Sequence, residues 1–356
     1  MGNRVALIWA VSTVSMVSMA WLAACGSKKA DGPAGGSAAG SAAGSAVAGG
    51  SGGDGSAGGS GDGAPRAHCI PSDAEHVLST FVADDKTATF CLKKESDEKG
   101  ASTCTTVDLA TGAYRPAAAL PARPAAPAAA LTIKQDAQGV EACKAGACTK
   151  LELPAPKVED GSVSEYRVAV SEDGKRLVAT GDALEGVVFL DGVTGKKLRT
   201  VKIASADSCI DDAYFLGESV YIAASNCAGP GGSAVLYSFA GKKLGDVGAQ
   251  GFNTFGAEPL QVAGDQWAVA GYGGSGVLVF DARTGKELHL VEVKPPADCD
   301  RCGEVLGTAA HWSASPLVKL PTGKLATIDG TGVTIIDPAT GKIEKTHRLP
   351  ICPAKP

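Results

Sequence analysis

A chain of 356 residues has room for two average domains or one large all-β domain. Hydrophobic residues at 44% can furnish a core, so the chain is not disordered throughout. The 33 basic and 38 acidic residues leave a net charge of −5 with no basic stripe, which argues against a nucleic-acid binder.

In chain order, Arg4 is followed by a mostly apolar run from Val5 to Trp21 that closes on Leu22-Ala23-Ala24-Cys25. A basic start, an apolar middle and small residues at the end read as a secretion signal, with a retained membrane-spanning helix as the alternative. Leu22-Ala23-Ala24-Cys25 resembles the lipobox of bacterial lipoproteins. That resemblance implies a signal peptide over 1–24, a diacylglycerol on the Cys25 thiol, and an acylated new N-terminus. Several acyl chains on one residue anchor stably where one would be marginal. Gly26 and Ser27 follow, and the absence of an Asp after the cysteine favours the outer membrane. The expected location is the cell envelope, on a membrane face that the sequence does not assign.

Residues 25–65 form the next unit. After Cys25, positions 26–65 are almost all Gly, Ser and Ala, with 15 of the 47 glycines and Val47 as the one large aliphatic side chain. Such a tract cannot bury enough surface to offset chain entropy. As a flexible coil of 40 residues it reaches about 35 Å, a leash rather than a recognition element.

Residues 66–356 are alternating and turn-punctuated. The stretch from Tyr166 to Leu198 reads as strand, Asp173-Gly174 turn, strand, loop, strand, tight turn, strand. Its closing turn recurs as Asp108-Leu109-Ala110-Thr111-Gly112, Asp191 to Gly195, Asp281 to Gly285 and Asp337 to Gly341. A degenerate copy runs from Ser238 to Lys242. The Asp accepts amide hydrogen bonds within the turn and the Gly takes positive φ. A period of about 40–50 residues with four strands per unit marks a β-propeller. The gap from Gly112 to Gly195 holds about two periods, which places a missing turn near Gly139 or Gly146.

These repeats resemble the WD40-like, YVTN and PQQ-like propeller groups over most of residues 75–347, well from 165 onward and poorly between 117 and 153. The expected fold is all-β, a β-propeller of about six four-stranded blades, with seven or eight compatible and a β-sandwich as the competing architecture. Arg115 to Ala130, rich in Pro and Ala, either forms a long inter-blade loop or separates a small N-terminal module.

Removing Cys25 leaves ten cysteines, an even number in an exported chain, which favours disulfides. Proximity pairs Cys91 with Cys104, Cys143 with Cys148, and Cys209 with Cys227. Cys69 and Cys352 are left to tie the ends of the ring, where propeller termini commonly share one blade. Cys299-Asp300-Arg301-Cys302 lacks the His of a haem site and the second ligand pair of a zinc site, and it reads as a loop disulfide.

No nucleophile elbow or Walker loop occurs, and the five histidines (His68, His76, His289, His311, His347) show no catalytic spacing. No catalytic residue, metal or cofactor is expected. Asp211-Asp212, and Asp298 with Asp300, read as solvated turns rather than a Ca²⁺ site. Quinoprotein repeats carry a Trp after Thr-Gly-Lys that is missing here, and Trp267 and Trp312 are expected to pack between blades, with His311-Trp312 at the propeller mouth as the alternative for that pair. The resulting expectation is a lipid-anchored, non-enzymatic scaffold that meets the membrane through Cys25 and binds a protein partner in the envelope. The alternative is an enzyme or small-ligand binder using the central channel.

Overall fold

Alternating apolar residues punctuated by Asp–Gly turns form antiparallel sheets in sequence order, as short turns dictate. In the computed structural model the chain divides into two units, 1–62 and 63–356. The structure describes residues 76–94, 102–117, 131–159, 162–181, 183–203, 208–226, 232–248, 252, 254, 258–271, 276–293, 316–329 and 332–349, all in the second unit.

The first sheet runs β1 (His76–Ala83), β2 (Thr87–Lys94), β3 (Thr103–Asp108) and β4 (Tyr114–Ala117). The second has three strands, β5 (Thr132–Asp136), β6 (Gly139–Lys144) and β7 (Ala147–Lys150). A small hairpin, β8 (Val158–Glu159) with β9 (Ser162–Val163), leads to the third sheet. That sheet comprises β10 (Arg167–Val170), β11 (Arg176–Thr180), β12 (Val187–Asp191) and β13 (Lys197–Val201). The fourth holds β14 (Ser208–Leu216), β15 (Ser219–Asn226), β16 (Gly232–Ser238) and β17 (Lys243–Val247). The fifth holds β18 (Leu260–Ala263), β19 (Gln266–Ala270), β20 (Val277–Asp281) and β21 (Glu287–Val291). The sixth holds β22 (Leu317–Lys319), β23 (Leu325–Asp329), β24 (Gly332–Asp337) and β25 (Lys342–Arg348). Among the described residues these six sheets are the blades of a β-propeller.

The recurring turn joins the last two strands of a blade. In blade 3 the Val193 and Thr194 amides donate to Asp191 Oδ1 at 2.9 and 2.7 Å, and the Thr194 hydroxyl donates to it at 2.9 Å. Gly195 takes φ +70° and its amide returns to the Asp191 carbonyl at 2.8 Å. Asp108, Asp281 and Asp337 repeat the arrangement with Thr111, Thr284 and Thr340. Ser238 stands in for the Asp in blade 4, accepting from the Lys242 amide at 3.2 Å.

The glycine of this turn also sets blade order, because the turn seats against the last strand of the preceding blade. A Cβ on Gly341 would meet His289 of β21 at 2.7 Å, and one on Gly285 would meet Gly245 of β17 at 2.8 Å. Gly241 faces Arg199 of β13, and Gly195 faces Thr149 and Lys150 of β7. By this rule β7 is the outer strand of blade 2, and the β6–β7 turn at Ala145-Gly146 is the missing one. It is a two-residue turn with both residues at positive φ (48° and 88°).

Blades 3 to 6 bury apolar residues on both faces, so neighbouring sheets cover one another. Phe189 and Phe280, fully buried, sit on β12 and β20. Separate apolar clusters span blades 2 and 3, 3 and 4, 4 and 5, and 5 and 6. A further cluster joins Phe90 and Val107 of blade 1 to Ile328 and Ile335 of blade 6, which closes the ring. Polar contacts reinforce the closure: the Tyr114 hydroxyl donates to the His347 carbonyl at 2.8 Å, and His347 Nε2–H donates to the Leu109 carbonyl at 3.0 Å.

Of the two readings of Arg115 to Ala130, the sheets decide for one. Residues 76–117 are a blade of the ring rather than a separate module. The first and last described strands lie in separate sheets that pack against each other, and the segments beyond them, with Cys69 and Cys352, lie outside the described residues.

Candidate functional site

First strands of neighbouring blades lie beside one another, β10 against β14, β18 against β22 and β22 against β1, so these strands line the inside of the ring. Their most polar stretch is on β14, where Ile210-Asp211-Asp212-Ala213-Tyr214 breaks the alternation. A bulge between Ile210 and Asp212 leaves Asp211 as the extra, unpaired residue of the ladder, and bulges re-aim side chains in this way.

Arg167 of β10 reaches across the blade junction. Its guanidinium donates to the Asp211 carbonyl and, at 3.4 Å, to Asp212 Oδ2. Ser225 of β15 donates to Asp211 Oδ1 at 2.9 Å. Burial pushes the Asp212 carboxyl above its ordinary range; Arg167 opposes that shift, while the charges of Asp211 and Glu258 reinforce it. Burial also raises the Tyr214 phenol, with Asp212 and Glu258 adding to the effect. Behind Tyr214, Tyr221 packs edge-on at 6.1 Å and stacks on Phe280 at 6.2 Å, which fixes the inner strand against the core.

The cluster therefore draws Arg167 from blade 3, Asp211, Asp212, Tyr214 and Ser225 from blade 4, and Glu258 from the start of blade 5. One guanidinium, three carboxyl groups and a phenol on neighbouring inner strands can recognise a polar or charged group by hydrogen bonding and charge. Reading Asp211-Asp212 as a solvated turn misplaced them: they are half-buried in a strand. The usable signal was the doubled acid inside an otherwise apolar alternating run.

Cys91 and Cys104 are directly opposed on β2 and β3 and disulfide-bonded, and so are Cys143 and Cys148 on β6 and β7. Cys209 on β14 is disulfide-bonded as well, whereas Cys227 lies outside the described residues. Cys25, Cys69, Cys299, Cys302 and Cys352 also lie outside them, as do His68, His311, Trp312, Asp298 and Asp300. His289 Nε2–H donates to the Ala339 carbonyl at 3.1 Å, and His347 closes the ring, so both serve blade junctions. Trp267 packs against the cluster between blades 4 and 5.

No family model and no curated protein matches the chain. Among solved structures, apo AztD from Citrobacter koseri aligns at 12% identity over 78% of this chain and 74% of its own, with TM-score 0.38. The dihydro-heme d1 dehydrogenase NirN aligns at 15% identity over 79% of this chain, with TM-score 0.37, and the chain spans 55% of its length. The WD40 β-propeller domain of Doa1 aligns at 12% identity over 78% of this chain and 88% of its own, with TM-score 0.35. The propeller assignment rests on the sheets and junctions described above.

Proposed function

We propose that this chain is a lipid-anchored propeller of the bacterial cell envelope that acts as a protein-binding module without catalysis of its own. The observation that carries the binding reading is the Arg167–Asp212–Tyr214–Glu258 cluster, assembled from three blades on the inside of a closed ring. The lipobox-like Leu22-Ala23-Ala24-Cys25 and the 26–65 tract supply an anchor and a leash of about 35 Å, enough for the ring to meet partners clear of the bilayer. Cross-strand disulfides in blades 1 and 2 suit an oxidising compartment outside the cytoplasm.

The test is affinity capture from solubilised envelope with the full chain and with Arg167→Ala/Asp212→Asn. A partner recovered reproducibly by the first and depleted with the second supports the reading. Recovery of no reproducible partner counts against it. The same cluster favours a second reading, a small polar ligand held inside the ring. Thermal shifts across a metabolite and metal panel test it, and a uniformly flat panel overturns it.

A further inference from the structure

Five of the six blade junctions carry apolar clusters among the described residues; the exception is the junction of blades 1 and 2. On blade 2, Val140 and Ala142 face blade 3. By strand alternation the opposite face carries Lys134, Glu141, Cys143, Cys148 and Lys150, of which all but Cys143 are exposed.

The Cys143–Cys148 disulfide spans five positions across a two-residue turn that already fixes the strand register. Loop-closure stabilisation grows with the loop that a disulfide closes, so this bond adds less than Cys91–Cys104, which spans thirteen. Cys148 is exposed, which leaves the bond open to an attacking thiolate, and Glu141 pairs in register with Lys134 and Lys150 on the same face. A carboxylate oxygen of Glu141 and both cysteine sulfurs lie within 4.8 Å of one another.

We propose that reducing Cys143–Cys148 unmasks a site for a thiophilic divalent cation such as Zn²⁺, ligated by both cysteines and Glu141. The reductant is a dithiol. One of its thiolates attacks Cys148 Sγ, the S–S bond breaks, and Cys143 leaves as a thiolate that takes up a proton. The second thiol of the reagent then displaces Cys148, leaving two protein thiols and an oxidised, cyclic reagent. Zn²⁺ displaces two protons from the thiols, Glu141 supplies a third ligand and water the fourth, within the usual four-coordinate pattern.

The experiment uses the detergent-solubilised full chain, oxidised or reduced with dithiothreitol that is then removed anaerobically, and dialysed against Zn²⁺. The reduced chain should bind one Zn²⁺ more than reduced Cys143→Ser/Cys148→Ser, and the oxidised chain should lack that equivalent. Glu141→Gln should weaken this site about tenfold or more, since even outer-shell partners of a metal are worth that much. Equal Zn²⁺ stoichiometry and affinity in the reduced wild type and the double variant would overturn the proposal, as would an unchanged affinity in Glu141→Gln. Should the double variant fail to fold, alkylation mapped to Cys148 in the folded, reduced wild type replaces it; this should remove one equivalent, and retention of that equivalent counts against the site.

Discussion

Ala145 stands at φ +48° in the β6–β7 turn, a left-handed conformation that glycine and asparagine adopt most readily. Ala145→Gly should therefore stabilise the fold by about 1 kcal/mol and raise Tm by about 2 °C, read by thermal melting; a lowered Tm would contradict the turn geometry. His347 is a second residue with a legible consequence. Burial holds its imidazole below the ordinary value of 6.5; Lys345 adds to that shift, while the Leu109 carbonyl and Asp108 oppose it. The unfolded chain then binds a proton that the folded chain resists. Stability should fall as pH drops through 6.5 and level off below the folded value. His347→Gln should flatten the Tm profile between about pH 7.5 and 5.5, and an unchanged slope would show that other groups dominate. The turn aspartates carry the opposite sign. Hydrogen bonds from Thr111 and Thr194 amides, and from the Thr284 and Thr340 hydroxyls, hold Asp108, Asp191, Asp281 and Asp337 below 3.8. Their contribution is complete above that value and is lost as pH falls through the lower folded values.

At the level of elements, the Asp-x-x-Thr-Gly turn does two jobs that substitutions can separate. Gly285 has φ +73° and sits with its Cα side against Gly245, so alanine there meets both backbone strain and a clash with the preceding blade. Gly323 has φ +84° but open space around it. Gly323→Ala should cost about 1 kcal/mol, and Gly285→Ala at least about twice that, measured by denaturant unfolding. Equal costs would mean that the seat between blades contributes nothing. These turns were legible in the sequence because Asp, Thr and Gly act locally. Blade 2 was legible only as a spacing gap with candidate turns near Gly139 or Gly146; its outer turn is the bare pair Ala145-Gly146, and choosing it depends on Gly195 of blade 3 seating against Lys150. The Asp211-Asp212 site was missed for a related reason: a bulge reverses the solvated-turn reading, and Arg167, 44 residues earlier, completes the cluster.

For the whole molecule, ring closure is the property that local pattern could not supply. Blade 1 and blade 6 are more than two hundred residues apart, yet Phe90, Val107, Ile328 and Ile335 share one buried cluster. The inner-strand site inherits its geometry from that closure, because Arg167, Asp212 and Glu258 come from three blades held in order by the ring. The most direct test is hydrogen–deuterium exchange on Ile328→Ala, a fully buried truncation in blade 6 expected to cost about 2–5 kcal/mol. A closed ring predicts lost protection in β23 and β24 and equally in β2 and β3. Loss confined to blade 6, with β2 and β3 exchanging as in the wild type, would contradict it.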